Sequence, residues 1–280
     1  MVKTSIKTSI IFFTIIVSIF SLSSCEDVID VNLDTAAPKL VIDASIKWEK
    51  GSIGNEQTIK LTTTTGFYDT AIPIVSGAIV NITDSNSIQF DFIEEVGTAN
   101  YICTNFNPVI NEVYTLLVIV NGQTYTAEET LISVPTIDSV AQNDQGGFTG
   151  DQIELKFFFE DNGLVDNFYL EEYLTSFTFL PEYEVSRDIF FQGNQMFGLY
   201  TNDDMKAGDE IMFTLQGISQ KYYNFMNILL GIAGNNGGGG PFQTPPATVR
   251  GNFINQTNFD NYALGYFRLS ETEKINYTVQ

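Results

Sequence analysis

Apolar and polar residues alternate in short runs from about residue 39 to residue 133, and turn residues separate the runs. Ala78, Val80 and Ile82, for example, would lie on one face of a strand. Asn121-Gly122 stands between two such runs, which predicts a hairpin with a type I′ turn. Roughly seven strands in about 95 residues predict an immunoglobulin-like or transthyretin-like β-sandwich at 38–134.

The chain after Val134-Pro135-Thr136 predicts a second β-rich domain, at 135–280. We place the domain boundary at this point because the proline interrupts the alternation. The pattern predicts further strands at 151–160, 168–179, 187–191, 210–217, 248–253 and 263–270. The predicted fold class is therefore mainly β, with two β-rich domains.

One amphipathic helix is expected in the second domain, at 218–232. Ser219 is suited to be its N-cap, and Gly231 and Gly234 stand where a helix would end. A single helical stripe contains Ile218, Tyr222, Phe225, Leu229 and Ile232. We expect this stripe to pack against the second sheet, and the aromatic residues to be core and not a sugar-binding platform.

The N-terminal residues 1–24 resemble a bacterial lipoprotein signal peptide. Lys3 and Lys7 precede a short apolar run, and Leu22-Ser23-Ser24 leads directly into Cys25. The resemblance implies cleavage before Cys25, a diacylglycerol on its thiol and an acyl chain such as palmitate on its amine. An ordinary secretory signal or a membrane-anchoring helix is the alternative, although the apolar run is short for a membrane span.

Cys25 would thus begin a lipidated tether at 25–37. Glu26 and Asp27 resemble the acidic export signal that directs lipoproteins of the Bacteroidota phylum to the cell surface. The expected location is the outer membrane, with the acyl chains as anchor and the body facing outwards.

Charge and composition exclude several functions. The chain has 34 acidic and 13 basic residues, so removal of Lys3 and Lys7 leaves 11 basic residues and a formal charge of −23. Such acidity disfavours nucleic acid as a partner. The absence of histidine excludes Ser-His-Asp and Cys-His catalysis and histidine zinc sites. Cys103, the only other cysteine, is expected to be a small hydrophobic residue of a strand.

Candidate sites within the body are weak. Asn143-Asp144, Glu160-Asp161-Asn162 and Asn202-Asp203-Asp204 could suggest calcium, but none has the spacing of an EF-hand loop. Glu171 and Glu172 would point to opposite faces of a strand and could not act on one substrate. We therefore predict no catalytic residue, no metal and no cofactor.

Two segments are candidate interfaces. Trp48, the only tryptophan, follows a predicted strand and could be an exposed anchor for a partner or a lid on the sandwich. The loop 235–246 contains Asn236 and Phe242 together with four consecutive glycines and three prolines. An aromatic residue in such a loop suggests binding, although loops of this kind often only connect.

Several segments together resemble a Bacteroidota family known as a domain of unknown function, DUF4249. The matching segments are Cys25-Glu26-Asp27-Val28-Ile29-Asp30-Val31, Pro38-Lys39-Leu40-Val41-Ile42, Val134-Pro135-Thr136-Ile137-Asp138-Ser139, Gly208-Asp209, Tyr222-Tyr223, Pro245-Pro246-Ala247-Thr248-Val249-Arg250-Gly251-Asn252-Phe253 and Ala263-Leu264-Gly265-Tyr266-Phe267.

The resemblance implies an outer-membrane lipoprotein that works with a β-barrel protein and is not an enzyme. The expected function is a surface-exposed, non-catalytic partner of a TonB-dependent receptor in substrate capture or uptake. The alternative is an extracellular accessory subunit of the machinery for outer-membrane protein assembly or secretion.

Overall fold

The structure is a computed structural model that describes residues 37–66, 68–233 and 248–280. Pro38–Gln280 forms one compact unit by its internal contacts. The described residues contain β1 (Leu40–Glu49), β2 (Gln57–Thr63), β3 (Ile79–Asp84), β4 (Gln89–Glu94), β5 (Asn100–Cys103), β6 (Val113–Val120), β7 (Gln123–Ile132), β8 (Ile137–Gly146), β9 (Gln152–Glu160), β10 (Phe168–Thr175), β11 (Glu182–Arg187), β12 (Gln195–Thr201), β13 (Glu210–Ile218), α1 (Gln220–Ala233), β14 (Ile254–Asn255) and β15 (Leu264–Thr278).

Most strands belong to one hydrogen-bonded sheet, in the order β11-β10-β13-β15-β1-β2-β5-β4-β3-β6-β7-β14. Strand β15 also pairs with β7 through Leu269 and Ser270, which closes eight of these strands into a ring. Alternate residues of the ring strands fill its interior, including Ile42, Leu61 and Tyr101, all fully buried. The ring therefore has its own hydrophobic core.

The second core lies between two layers of strands. One layer is a separate sheet of three strands, β12-β9-β8, and the other is the β11-β10-β13-β15 end of the large sheet. Phe157 of the small sheet stacks on Phe213 of the large one with ring centroids 4.5 Å apart, and Phe159 and Tyr169 meet edge to face. This half is a sandwich of three strands on four.

Strand β15 belongs to both cores. Its first part pairs with β1 in parallel, from Leu264 to Thr272, and its last part pairs with β13, from Thr272 to Thr278. Val134 is also buried, and its backbone N–H donates to Glu271 Oε2 of β15 at 2.9 Å. The ring and the sandwich are thus joined by a continuous strand as well as by the chain at 134–136.

The predicted mainly β fold is confirmed, and the residues that the structure describes contain one helix, at the predicted place. The Asn121-Gly122 hairpin is also confirmed, since both residues have positive φ, 51° and 71°. Four strand assignments differ from the prediction. β8 and β12 were missed, 187–191 is mostly a turn, and 248–253 contains no strand. Ile189, Phe190 and Phe191 gave 187–191 the apolar character of a strand, but their side chains are exposed on the turn.

The helix forms where the apolar stripe predicts it. Ser219 Oγ accepts a hydrogen bond from Tyr222 N at 3.2 Å, so Ser219 is the N-cap as predicted. Tyr222 is buried against the β11-β10-β13-β15 end of the large sheet together with Met226, which the stripe did not include. Ile232 is exposed, contrary to prediction, whereas Leu229 and Leu230 of the same part of the helix are partly buried against the sheet.

Candidate binding cleft

The predicted site residues are placed as follows. Trp48 is half-buried on the ring core, and its Nε1 donates to the Ser52 carbonyl oxygen at 2.9 Å. A Cβ at Gly54 would collide with the Trp48 ring, so the ring closely covers this backbone. Cys25, Glu26, Asp27, Asn236 and Phe242 lie outside the described residues.

The remaining predictions on single residues concern Cys103 and two glutamates. Cys103 is buried in β5, and this burial raises the pKa of its thiol. Glu171 and Glu172 point to opposite faces of β10, as alternation in a strand requires. Glu171 is buried against Tyr173 and Ser186, whereas Glu172 accepts hydrogen bonds from Lys47 and Gln216.

The acidic and amide clusters do not form metal sites in the part of the chain that the structure describes. No group of three or more His, Cys, Asp or Glu side chains is arranged there to hold a metal ion. Asp161, for example, accepts hydrogen bonds from the backbone N–H groups of Gly163 and Gly193 and from the Tyr169 hydroxyl. Its role is to fix loop backbone.

The cavity best suited to a ligand is a cleft of about 580 Å³ between β11 and β12. β11 is the last strand of the large sheet and β12 the last strand of the small one. The cleft residues are Tyr173, Pro181, Glu182, Tyr183, Glu184, Leu199, Tyr200, Thr201, Leu230 and Ala233. A larger cavity of about 670 Å³ around 149–153 and 202–207 has no aromatic residue in its wall.

The free edges of the two strands matter for binding. In an antiparallel pair, alternate residues direct their N–H and C=O groups away from the partner strand. β12 pairs only with β9 in the described residues, so its other edge leaves backbone groups without a strand partner. An extended chain could add to this edge and place alternate side chains in the cleft.

A stacked pair of tyrosines forms the floor of the cleft. The rings of Tyr173 and Tyr200 are 4.9 Å apart with an interplanar angle of 22°. Tyr200 donates its hydroxyl hydrogen to Glu182 Oε1 at 2.8 Å, and Tyr173 donates to Glu171 Oε2 at 2.7 Å. Gly198 permits this packing, because a Cβ there would lie 2.7 Å from the Tyr173 hydroxyl.

The cleft is negatively charged. Glu182 and Glu184 are in its wall, which contains no Lys or Arg. Glu171 lies beneath it, 2% exposed, and burial raises the pKa of its carboxyl group. Burial, with the nearby Glu171, also raises the pKa of the Tyr173 hydroxyl, which stays protonated and can donate. Aromatic rings beside carboxylates favour a cationic group.

Sequence reasoning missed this cleft because it missed β12. The alternation of Met196, Gly198 and Tyr200 as buried positions was present, but the predicted strand at 187–191 was placed too early. The glycine also weakened the strand pattern, since it contributes no apolar side chain. Glycine is needed at position 198 because the Tyr173 hydroxyl lies close to it, and no sequence pattern indicates this contact.

A chain of polar contacts, in which Gln216 and Arg268 are buried, crosses the large sheet beside Tyr222 of α1. Lys47 lies 3.3 Å from Glu172, Gln216 Nε2 donates to Glu172 at 2.9 Å, and Arg268 Nη1 donates to Gln216 Oε1 at 2.9 Å. These groups come from β1, β10, β13 and β15 and are bonded to one another. We interpret this chain of contacts as a link between the ring and the sandwich.

The fold and cleft define a mainly β protein with a ligand-sized cavity between two edge strands. In the described residues, no helix is both long and apolar enough to cross a membrane. The family model described as "Domain of unknown function (DUF4249)" matches residues 26–276. This chain therefore belongs to that family.

Comparison with other known proteins adds little. No curated protein matches the chain. A solved segment of two fibronectin type-III domains of chicken tenascin is similar at 10% identity and TM-score 0.21, over 64% of this chain and 90% of that one. A cytokine receptor complex is similar at 8% identity and TM-score 0.26, over 66% of this chain and 86% of that one. A DUF4785 family protein from Legionella pneumophila is similar at 6% identity and TM-score 0.26. The match covers 64% of this chain and 52% of that protein, so it spans about half of the Legionella protein.

Proposed function

We propose that this protein is a non-catalytic, lipid-anchored partner of a TonB-dependent receptor in substrate capture or uptake. Acylated Cys25 holds it in the outer membrane, and Glu26 and Asp27 direct it to the extracellular side. The tether comprises 25–37, and the body comprises two β-rich parts, 38–134 and 135–280. The lipoprotein-like N-terminus and the family's resemblance to receptor-associated lipoproteins support this location.

The cleft between β11 and β12 is the single observation that carries the binding function. It combines a stacked tyrosine pair, two wall carboxylates and the free edge of a strand. Such a surface suits an extended peptide with Lys or Arg side chains, because backbone pairing supplies affinity and the carboxylates select for cations. The chain's own residues 25–36 are acidic and fit this cleft poorly.

The alternative, an accessory subunit of outer-membrane protein assembly or secretion machinery, is favoured by the same strand edge. Unfolded client proteins would present extended segments to it. The two functions differ in which membrane protein accompanies the chain.

Co-purification tests the partner. The acylated protein is extracted from outer membranes in detergent, and the proteins that accompany it are identified. A TonB-dependent receptor supports the proposed function, whereas an assembly or secretion barrel supports the alternative. Absence of any barrel protein would contradict both.

Localisation is tested with two variants. Cys25→Ala is expected to leave the protein released from the membrane fraction or unprocessed, because the acyl chains are its anchor. Exchange of Glu26 and Asp27 for Gln and Asn should keep it in the membrane but protect it from protease added to intact cells. Equal cleavage of this variant and the wild type would contradict the export signal.

Peptide binding tests the cleft. An extended lysine-containing peptide should bind the acylated protein in detergent more tightly than its glutamate counterpart. The double variant Glu182→Gln, Glu184→Gln should bind the lysine peptide with about threefold to tenfold lower affinity. Glu56→Gln with Glu128→Gln removes the same charge at exposed positions elsewhere and should change nothing. Equal loss in both double variants would mean that overall charge, and not the cleft, attracts the peptide.

A further inference from the structure

A second cleft, of about 380 Å³, lies between α1 and the segment 248–252, and we call it the basic cleft. Lys221, Phe225 and Ile228 of α1 are three or four residues apart, so they share the face of the helix that forms one wall. Arg250 and Tyr266 belong to the rest of the wall. The cleft therefore brings together two cations and several apolar side chains.

The charge of this cleft is opposite to that of the whole chain. Its wall contains a lysine and an arginine and no Asp or Glu, although the chain has 34 acidic and 13 basic residues. Among the described residues, Lys221 and Arg250 form no ion pair with a carboxylate, whereas Lys47, Lys156 and Lys274 each do. The two cations are thus available to a negatively charged group from outside the chain.

The carboxylate of Glu129, which lies near Lys221, is bonded within the protein. Glu129 is 6% exposed and accepts hydrogen bonds from the Ser219 hydroxyl at 3.0 Å and the Tyr266 hydroxyl at 3.5 Å. Burial raises the pKa of its carboxyl group, and the charge of Lys221 opposes this rise. Glu129 is not part of the wall, so a ligand would meet the lysine and not the carboxylate.

The backbone that carries Arg250 is fixed on β15. Asn252 Nδ2 donates to the Phe267 carbonyl oxygen at 2.8 Å, and Asn252 Oδ1 accepts from Phe267 N at 2.9 Å. A Cβ on Gly251 would collide with the carbonyl oxygen of Gly265, so the two backbones are in direct contact. The position of this wall therefore does not depend on a ligand.

The side chain of Arg250 is also held in place. Its guanidinium carbon lies 3.8 Å from the centroid of the Tyr262 ring, and Lys39 Nζ lies 3.9 Å from the same centroid. A cation that is already positioned loses less conformational entropy when it binds an anion. The arginine is thus prepared for binding.

The part of the cleft beside the cations is apolar. Ile228 is 54% exposed in the wall, and the Phe225 ring packs on Tyr266 with ring centroids 4.8 Å apart. An apolar group of a ligand would cover Ile228 and remove it from water. The volume of the cleft is in the range of small-molecule sites.

We propose that the basic cleft binds a ligand in which an oxyanion, a carboxylate or a phosphate, is attached to an apolar group. Arg250 and Lys221 hold the oxyanion, and Phe225 and Ile228 contact the apolar group. Free organic acids and anionic phospholipids share this chemistry. The inference goes beyond the proposed function and does not depend on a barrel partner.

A fluorescence titration tests the cleft. Dansyl-phenylalanine attaches a carboxylate to aromatic groups, and dansyl-phenylalanine amide is its neutral counterpart. The acylated protein in neutral detergent should bind the acid at least about tenfold more tightly than the amide, because charge-assisted hydrogen bonds are the stronger ones. A chain this acidic repels anions elsewhere, so equal binding of acid and amide would overturn the inference.

Variants of the two cations locate the binding. The double variant Lys221→Gln, Arg250→Gln should lose the preference for the acid. The double variant Lys60→Gln, Lys206→Gln removes the same charge at exposed positions outside the wall and should keep the preference. Equal loss in both double variants would assign the effect to overall charge and overturn the inference.

A substitution at an exposed position keeps the test independent of folding. Ile228→Glu places a carboxylate in the wall and should lower the affinity for the acid by about tenfold. Ile232→Glu is the matched control, since Ile232 is exposed on the same helix outside the wall. Unchanged binding by Ile228→Glu, at an unchanged melting temperature, would contradict the proposed site.

Two competitors identify the source of the ligand. Displacement of the bound probe by acetyl-phenylalanine assigns a free organic acid, and displacement by short-chain phosphatidylglycerol assigns an anionic phospholipid. Either result supports the inference, and displacement by neither overturns it. These measurements contain no barrel protein, so their failure leaves the proposed function standing, and failed co-purification leaves this inference standing.

Discussion

Gly163 and Gly193 lie in direct backbone contact: a Cβ on Gly163 would be 2.6 Å from the Cα of Gly193. Both glycines have positive φ, 68° and 69°. The loops 161–167 and 188–194 can approach each other this closely only because Gly163 has no side chain. A Cβ on Gly193 would instead lie at an ordinary contact distance, 3.5 Å from the Cα of Gly163. Gly163 is therefore the residue that lets the two loops pack together.

Gly163→Ala should lower the free energy of unfolding by about 2–4 kcal/mol, because it combines strain at positive φ with a backbone collision. Gly77→Ala is the control, since Gly77 has φ 74° but open space around its Cβ position. That variant should cost only the strain, about 1 kcal/mol. Urea unfolding measures both values, and equal losses would show that the loops can separate without cost.

Glu171 should make the protein less stable as pH rises. Burial raises the pKa of this carboxyl group above its unfolded value of about 4.3. The folded state thus holds the proton more tightly, so the resulting stabilisation is complete below the unfolded pKa and is lost as pH rises through the folded pKa.

Glu171→Gln removes the charge and keeps an acceptor oxygen for the Tyr173 hydroxyl, while its NH₂ group can donate to the Ser186 hydroxyl oxygen. We expect its melting temperature to fall less than that of the wild type between pH 5 and pH 8. Glu56→Gln, at an exposed position, should retain the wild-type slope. Parallel curves for wild type and Glu171→Gln would show that this carboxylate is not the source.

Trp48 should act mainly as a lid on the ring core. Trp48→Ala is expected to cost about 2–3 kcal/mol, less than a fully buried tryptophan, while Trp48→Phe should retain most of the packing. Circular dichroism during urea unfolding measures the loss. Partner recovery should be unchanged in both variants; a loss of partner at full stability would instead identify Trp48 as a contact residue.

Residues 236–242, including Asn236 and Phe242, remain the second predicted interface. Their replacement with a short Ser-Gly linker should leave the melting temperature nearly unchanged, because the length of a surface loop has a small effect on stability. Partner recovery should fall. Unaltered recovery, with the fold intact, would dismiss this segment as the interface.

Local patterns predicted the elements that carry their own signals. Asn121-Gly122 required positive φ and formed a hairpin, and Ser219 capped the helix that follows it. The ring could not be predicted, because its closure depends on the pairing of Leu269 with Leu131, residues far apart in sequence. Alternation determines which face of a strand is buried but not which strand lies beside it.

The candidate sites were harder to predict for a related reason. The apolar pattern around Phe190 predicts a core residue of a strand. In the structure, the hydrogen bonds of Asp188 with its neighbours form a turn there instead. Glu182 and Tyr200 are 18 residues apart and meet across the cleft between two edge strands. Their proximity depends on the order of strands in the two sheets, which cannot be predicted from the spacing of residues along the chain.

Crosslinking in intact cells tests the central claim most directly. A photoreactive phenylalanine analogue is placed at position 242 of the acylated protein, in the predicted interface, and, as control, at position 148. The account predicts an adduct between position 242 and a TonB-dependent receptor of the outer membrane, and none from position 148. Adducts from position 148 alone, or the absence of any receptor adduct from either position, would contradict it.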